Sequence, residues 1–436
     1  MWLKRFVTNR KFITVVFVLL IASLLLSNLM PRPGSMPNEQ PLWYAQFPAV
    51  ARLISVLGLN ALQTSVWFSL LGCLFLVSLV CSTIDQGSRS YRMTKQLPTE
   101  PGDGDVPLRV EPGEFRACLQ HEGYLLLADN GRVSRHVKAP WGYWGNFLLH
   151  LGITLVVLFS FVRVLTEHRT LLKMVEGMEV SRVEGTAGET AGLLAGRMTY
   201  PAAVRLERLA PAFWDNDQLQ SLTADVSLFG EQERADRLTL KVFEGKSFRG
   251  QMFYLSPKFG TAFFLQLYSG DAPPFGAILA IDRPQRRDKA GYGQLDLPGG
   301  RFRLKAKYFA DADKRGMIST NPLLVLRLYE GESLLQETEL LRGKSGSLGP
   351  YLVRLDDVRG MAELLAVGGF GVSGIYCGFA VIFFGAVLVY CATPREVVLW
   401  RTDGGATASW RSARFRELYR GEEERIMSYC RGETKP

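Results

Sequence analysis

Cysteine and histidine are scarce in this 436-residue chain, six and four copies respectively, and where they fall removes several functions at once. The cysteines are Cys73, Cys81, Cys118, Cys377, Cys391 and Cys430, so residues 166–366 hold none. Disulfide stapling of that long stretch is excluded. No CxxC or CxxCH occurs, which rules out dithiol exchange and covalent attachment of a c-type haem to this chain. GxSxG and HExxH are absent as well, and with them the commonest hydrolase signatures.

Long apolar runs are what the chain does have. Its 47% hydrophobic and 21% charged residues are ordinary averages, but the apolar residues are concentrated in four blocks: 12–30, 67–84, 147–165 and 368–393. A hydrocarbon core of roughly 30 Å takes about 20 helical residues to cross. The sequence therefore predicts four transmembrane helices. The first block follows Lys4, Arg5, Arg10 and Lys11, as a secretory signal would. Its apolar core is too long for one and no small-x-small cleavage site follows, so it reads as a retained anchor.

Lysine and arginine near the membrane ends set the orientation. Twelve such residues flank one side, among them Arg89, Arg92, Lys95, Arg132, Arg135, Lys138, Arg395 and Arg401, against six on the other. Both termini are expected in the cytoplasm. The resulting division is 1–30 as cytoplasmic N-terminus and helix one, 31–66 as a short outer loop, and 67–84 as helix two. A cytoplasmic segment, 85–143, leads to helix three at 144–165; an extracytoplasmic domain, 166–366, leads to helix four at 367–393 and a cytoplasmic tail, 394–436. The net charge of +9 belongs to the cytoplasmic segments, since residues 166–366 carry 27 basic and 26 acidic residues. Basic charge dispersed among spans suits anionic lipid and argues against nucleic acid.

In the outer loop, Phe47, Val50, Ile54 and Leu57 fall at helical spacing, either a helix lying on the membrane surface or one packed on its neighbours. The cytoplasmic segment predicts a helix over PGEFRACLQHEGY and a hairpin around Asp129-Asn130-Gly131. His121 and His136 within it read as surface histidines. Beyond residue 166 the pattern has period two, with turn residues between LTLKVFEG, GQMFYLS, TAFFLQLYS, FGAILAID, RFRLKAKYF, PLLVLRLYEG, SLLQETELL and YLVRLDD. That pattern predicts an all-β sandwich or barrel, large enough to bury its own core. Its basic cluster RPQRRDK, residues 283–289, reads as a solvated loop or a docking patch. The tail's WRSARFRELYRGEEERI reads as a charged helix.

Two features in the spans stand out. In helix four, Gly371, Gly374, Gly378 and Gly385 share one face, and small residues in a stripe let another helix approach closely. A partner subunit's helix is expected there. In helix three, Asn146, His150 and Thr154 are spaced at i, i+4 and i+8, a polar stripe inside an apolar run. His150 lies about 9 Å into the span, at about 1.5 Å per residue from Trp144. It could donate a hydrogen bond to a neighbouring helix, relay protons, or ligate haem iron through an imidazole nitrogen. No other span carries a histidine, so a second axial ligand would come from another chain.

Helix two with its flanks, LGLNALQTSVWFSLLGCLFLVSLVCSTI, the approach to helix three, LLLADNGRVSRHVKAPWGYWGNFLLHLGI, and TPREVVLW after helix four carry a resemblance. Together with the order of spans and large outer domain, they resemble the ResB family of cytochrome c biogenesis proteins, the system II type. The resemblance implies a non-catalytic subunit in an inner (cell) membrane that helps carry haem b, held transiently, to apocytochrome c. It implies His150 as one haem axial ligand, and a polytopic, tryptophan-rich haem-handling partner, because this chain lacks that segment. The outer domain lacks the Asn-x-Pro of many family members at VFEGKSFRGQMFYLSPKFG. The alternative is a membrane-tethered sensor or adaptor whose β domain binds a ligand, with His150 structural.

Overall fold

The computed structural model describes residues 9–29, 46–60, 62, 65–98, 105–181, 186–195, 201–230, 235–270, 273–297, 300–318, 321–402 and 405–433. Lys4, Arg5, Arg32 and the proline-rich start of the first loop lie outside them. The chain divides into two compact units: Met1–Leu29, Ser65–Val164 and Phe370–Pro436 form one, and Met30–Thr64 with Leu165–Gly369 form the other.

Among the described residues, the first unit holds four helices long and apolar enough to cross a membrane: α1 (Arg10–Leu29), α3 (Val66–Lys95), α5 (Gly145–Thr166) and α6 (Val372–Cys391). The short α2 (Pro48–Val56) belongs to the other unit. Helix α3 runs well past the apolar block and ends in Arg92 and Lys95, cations that suit the negative end of the helix dipole. A stacked Phe17–Phe75 pair, 5.6 Å between ring centroids, joins α1 to α3.

Two stretches far apart in sequence build a single sheet in this unit. The strands are β1 (Val106–Pro107), β2 (Leu125–Asp129), β3 (Val133–Lys138), β19 (Arg395–Thr402) and β20 (Gly405–Ser412), in the order β1-β20-β19-β3-β2. The helices α4 (Pro112–His121) and α7 (Arg420–Cys430) pack on it, burying Phe115, Leu119, Val397, Leu399, Trp410 and Ile426. At the β2–β3 turn, Asn130 Oδ1 accepts from the Arg132 and Val133 amides and Gly131 takes a positive φ. The hairpin and the helix over Pro112–His121 agree with the sequence reading. The tail departs from it. Only residues 420–430 are α-helical: Trp410 belongs to β20, which pairs with β19, and β19 in turn pairs with β3, a partner some 260 residues earlier. His136 is a further correction. It stands opposite Val397 and is 1% exposed, a core residue and no surface histidine; His121 is exposed.

Apart from α2 and the last residues of α5, the described elements of the second unit are β-strands. Two strands of eighteen residues, β11 (Gln251–Tyr268) and β18 (Tyr351–Gly368), pair along their length. One half of this ribbon, with β12 (Phe275–Asp282) and β17 (Ser345–Leu348), faces a four-stranded sheet of β13 (Gly291–Asp296), β14 (Phe302–Phe309), β15 (Leu323–Glu330) and β16 (Ser333–Leu340). The other half, with β4 (His168–Val175), β6 (Thr186–Ala191) and β10 (Lys246–Phe248), faces β5 (Glu179–Ser181), β7 (Ala203–Phe213), β8 (Leu219–Phe229) and β9 (Ala235–Lys241). The result is two sandwich lobes on one shared ribbon. GQMFYLS and TAFFLQLYS are thus parts of one strand. A bulge between Leu255 and Phe259 carries the chain through the Ser-Pro-Lys that reads as a turn.

The RPQRRDK segment fastens the lobes together. Arg287 donates from its backbone and Nε to the Asp217 carboxylate and from Nη1 and Nη2 to the Arg315 and Asp215 carbonyls. Arg283 lies over the Phe213 and Phe259 rings, at 4.1 and 5.2 Å. Arg283 and Arg287 are thus structural, while Gln285, Arg286, Asp288 and Lys289 stay exposed, as in a solvated loop.

Candidate functional site: the seam around His150

Helix α5 lies between two other spans, and small residues decide both contacts. Towards α6, Gly145, Gly152, Val156 and Phe159 repeat at intervals near 3.5 residues and so lie on one face. A Cβ on Gly378 would fall 2.9 Å from the Val156 nitrogen and 3.0 Å from the Gly152 carbonyl oxygen; one on Gly385 would fall 2.7 Å from the Leu149 nitrogen. Gly374 receives the Phe159 ring. Gly371 starts α6 at φ 113° and faces the Phe159 carbonyl, which excludes any other residue twice over. The glycine stripe is a helix–helix contact, but its occupant is the chain's own α5. The assignment of Gly371, Gly374, Gly378 and Gly385 to a partner subunit is corrected accordingly: that face is filled from within.

Towards α3, on the opposite side of α5, the contact is partly polar. Gly72 and Gly87 accommodate the Phe161 and Phe147 rings. Between them, the Thr83 and Thr154 hydroxyls lie 2.7 Å apart, and Thr154 donates to the His150 carbonyl at 2.8 Å. Ser90 donates to the Tyr143 carbonyl at 2.8 Å. Small and hydroxyl residues on one face of α3, Gly72, Thr83, Gly87 and Ser90, are the sequence signal for this contact, one that the cysteines and the apolar run of the same helix obscure.

The polar stripe on α5 therefore divides by role. Thr154 is buried and binds α3; Asn146 is exposed. His150 is half-buried, and its Nδ1 lies 3.0 Å from the Asn146 carbonyl oxygen. A carbonyl can only accept, so Nδ1 carries the proton and Nε2 keeps its lone pair. That is the tautomer in which imidazole ligates a metal, and the backbone hydrogen bond orients the ring. The site fits one axial ligand to haem iron.

The other histidines are engaged elsewhere. His136 belongs to the sheet core, where burial, aided by the Arg116 charge, pushes its pKa down to about 4. His168 begins β4, 6% exposed, with Nε2 2.7 Å from Glu189 Oε1. Among the described residues no three His, Cys, Asp or Glu side chains converge as metal ligands.

The lead into α5 is held by a second cluster invisible in sequence. Arg135 on β3 donates through Nε and Nη2 to Glu396 of β19, at 2.9 and 2.6 Å, through Nη2 to the Tyr143 hydroxyl, and through Nη1 to the Met93 and Gln96 carbonyls at the end of α3. One guanidinium thus ties α3, the strand before α5 and the strand after α6. On the other face of the sheet, Glu422 of α7 accepts from Tyr124, Lys138 and Arg395. Burial pushes the Glu422 carboxyl up, and the Lys138 and Arg395 contacts together outweigh it, holding it below the usual carboxylate range.

A family model described as the ResB-like family matches residues 12–268, more than half of the chain. The chain belongs to the ResB-like family. The matched stretch of this ResB-like protein takes in α1, α3 and α5 with His150, and reaches to the end of β11. No curated protein matches the sequence.

Proposed function

We propose that this ResB-like protein is a subunit of a c-type cytochrome biogenesis complex that carries haem across a membrane and delivers it for attachment to apocytochrome c. The observation that carries the reading is the hydrogen bond from His150 Nδ1 to the Asn146 carbonyl, which leaves Nε2 available for haem iron in a helix fixed on both sides. His150 then supplies one axial nitrogen. The second comes from a polytopic, tryptophan-rich haem-handling partner, since no other span of this chain carries a histidine. The chain is not catalytic by itself. Haem b is cargo here, held transiently; what this chain contributes is the orientation of one imidazole.

In this reading the termini and the five-stranded sheet face the cytoplasm, in the inner (cell) membrane, and the β-rich unit stands outside near apocytochrome c. The basic residues at the ends of α3 and on β3 and β19 support that orientation. The test is co-expression with the tryptophan-rich partner, purification and an absorption spectrum. A b-type Soret band should be lost in His150→Ala and restored by added imidazole. An unchanged band in the variant would overturn the ligand role.

A further inference from the structure

We infer that the turn Gly192–Ala195 of the β-rich unit is a lipid contact, with Leu193 and Leu194 buried in the interfacial region of the bilayer where α5 emerges. The Ala195 amide donates to the Gly192 carbonyl at 3.0 Å, which closes a four-residue turn with Leu193 and Leu194 at its two central positions. In water those positions favour Pro, Asn, Asp, Ser or Gly. Here both are leucine, 45% and 69% exposed.

The turn's position follows from hydrogen bonds within the same unit. Strands β6 and β4 pair with Ala191 opposite His168. The same register continues beyond them, with Gly192 N donating to the Glu167 carbonyl and Leu194 N to the Leu165 carbonyl, each at 2.8 Å. Leu165 lies in the last turn of α5, whose span ends at Thr166. The final carbonyls of a helix have no partner within it, and this turn supplies one from outside. Leu194 is therefore held at the level where the apolar span ends. Two adjacent leucines at that depth fit the boundary of headgroups and acyl chains. The inference depends on α5 crossing the bilayer and not on the role of His150.

The test is Leu194→Cys, and in parallel Leu193→Cys, labelled with the fluorophore NBD in proteoliposomes of phosphatidylcholine and phosphatidylglycerol. Leu335→Cys, on the exposed side of β16, serves as the aqueous reference, and labelled wild-type chain provides the blank for native cysteines. Emission at 193 and 194 should be blue-shifted and quenched at least threefold more than at 335 by brominated phospholipid. Reference-like emission would overturn the inference. So would a blue shift without quenching, because another protein surface would then be the cover.

Discussion

Gly152 and Gly378 face one another across the α5–α6 contact so closely that neither tolerates a side chain. A Cβ on the first would lie 2.8 Å from the carbonyl oxygen of the second, and a Cβ on the second 3.0 Å from that of the first. The neighbours in both cases are backbone atoms, which cannot step aside. His150 sits on a helix whose position this pair sets.

Gly378→Leu should therefore destabilise the helical unit by about 1–3 kcal/mol or more, the usual cost of overpacking, even in the absence of any partner. A lower unfolding midpoint for the purified chain in detergent is the readout. Gly421→Ala on α7, with open space around it, should be neutral to slightly stabilising. An unchanged midpoint in Gly378→Leu would mean that α6 does not pack on α5 in solution.

The threonine pair offers a finer test of the other contact. Thr83→Val and Thr154→Val should each cost on the order of 1 kcal/mol, with a coupling of roughly 0.6 kcal/mol in the double-mutant cycle, as is typical for hydrogen bonds between spans. Strict additivity would show that the hydroxyls are not bonded across the seam.

Arg135 and Glu396 form a largely buried ion pair, 7% and 19% exposed at the side chains. Arg135→Met should cost roughly 3–5 kcal/mol, because it strands a carboxylate and uncaps the end of α3. The double variant Arg135→Met/Glu396→Leu should be less damaging than Arg135→Met alone. Thermal unfolding of the three chains ranks them.

His136 makes the sheet acid-sensitive in a defined window. Its pKa is about 4 when folded and about 6.5 when unfolded, so between those values the unfolded chain binds the extra proton. The stability it confers is complete above about pH 6.5 and is lost as pH falls through 4, roughly 3 kcal/mol in all. Glu422 adds a further loss only below the ordinary carboxylate range, since its pKa is lowered. Trp410 lies in the same core, so its fluorescence can follow the unfolding. His136→Gln should flatten the upper part of the acid limb and leave the lower.

Much of the site was legible without coordinates. His150 stood out because an ionisable residue in an apolar run is rare, and the glycine stripe because its period is helical. What lay across from each was not. A stripe of small residues announces a close neighbour but carries no label for it, and the neighbour proved to be α5. Asn146, His150 and Thr154 share a period too, yet only geometry separated the Thr154 hydroxyl, spent on Thr83, from the His150 ring, oriented by a backbone carbonyl.

By itself the sequence determined the local and periodic features: four apolar spans, the Asn130–Gly131 hairpin and the alternation of the β-rich unit. These depend on neighbours within a few residues, where hydrophobic period and turn chemistry act directly. Tertiary structure decided the rest. It joined β3 to β19, ran β11 through a bulge as one strand, placed Arg135 against Glu396, and set Thr154 against Thr83. Each depends on which backbone, charge or hydroxyl arrives from tens to hundreds of residues away, and no local pattern records that.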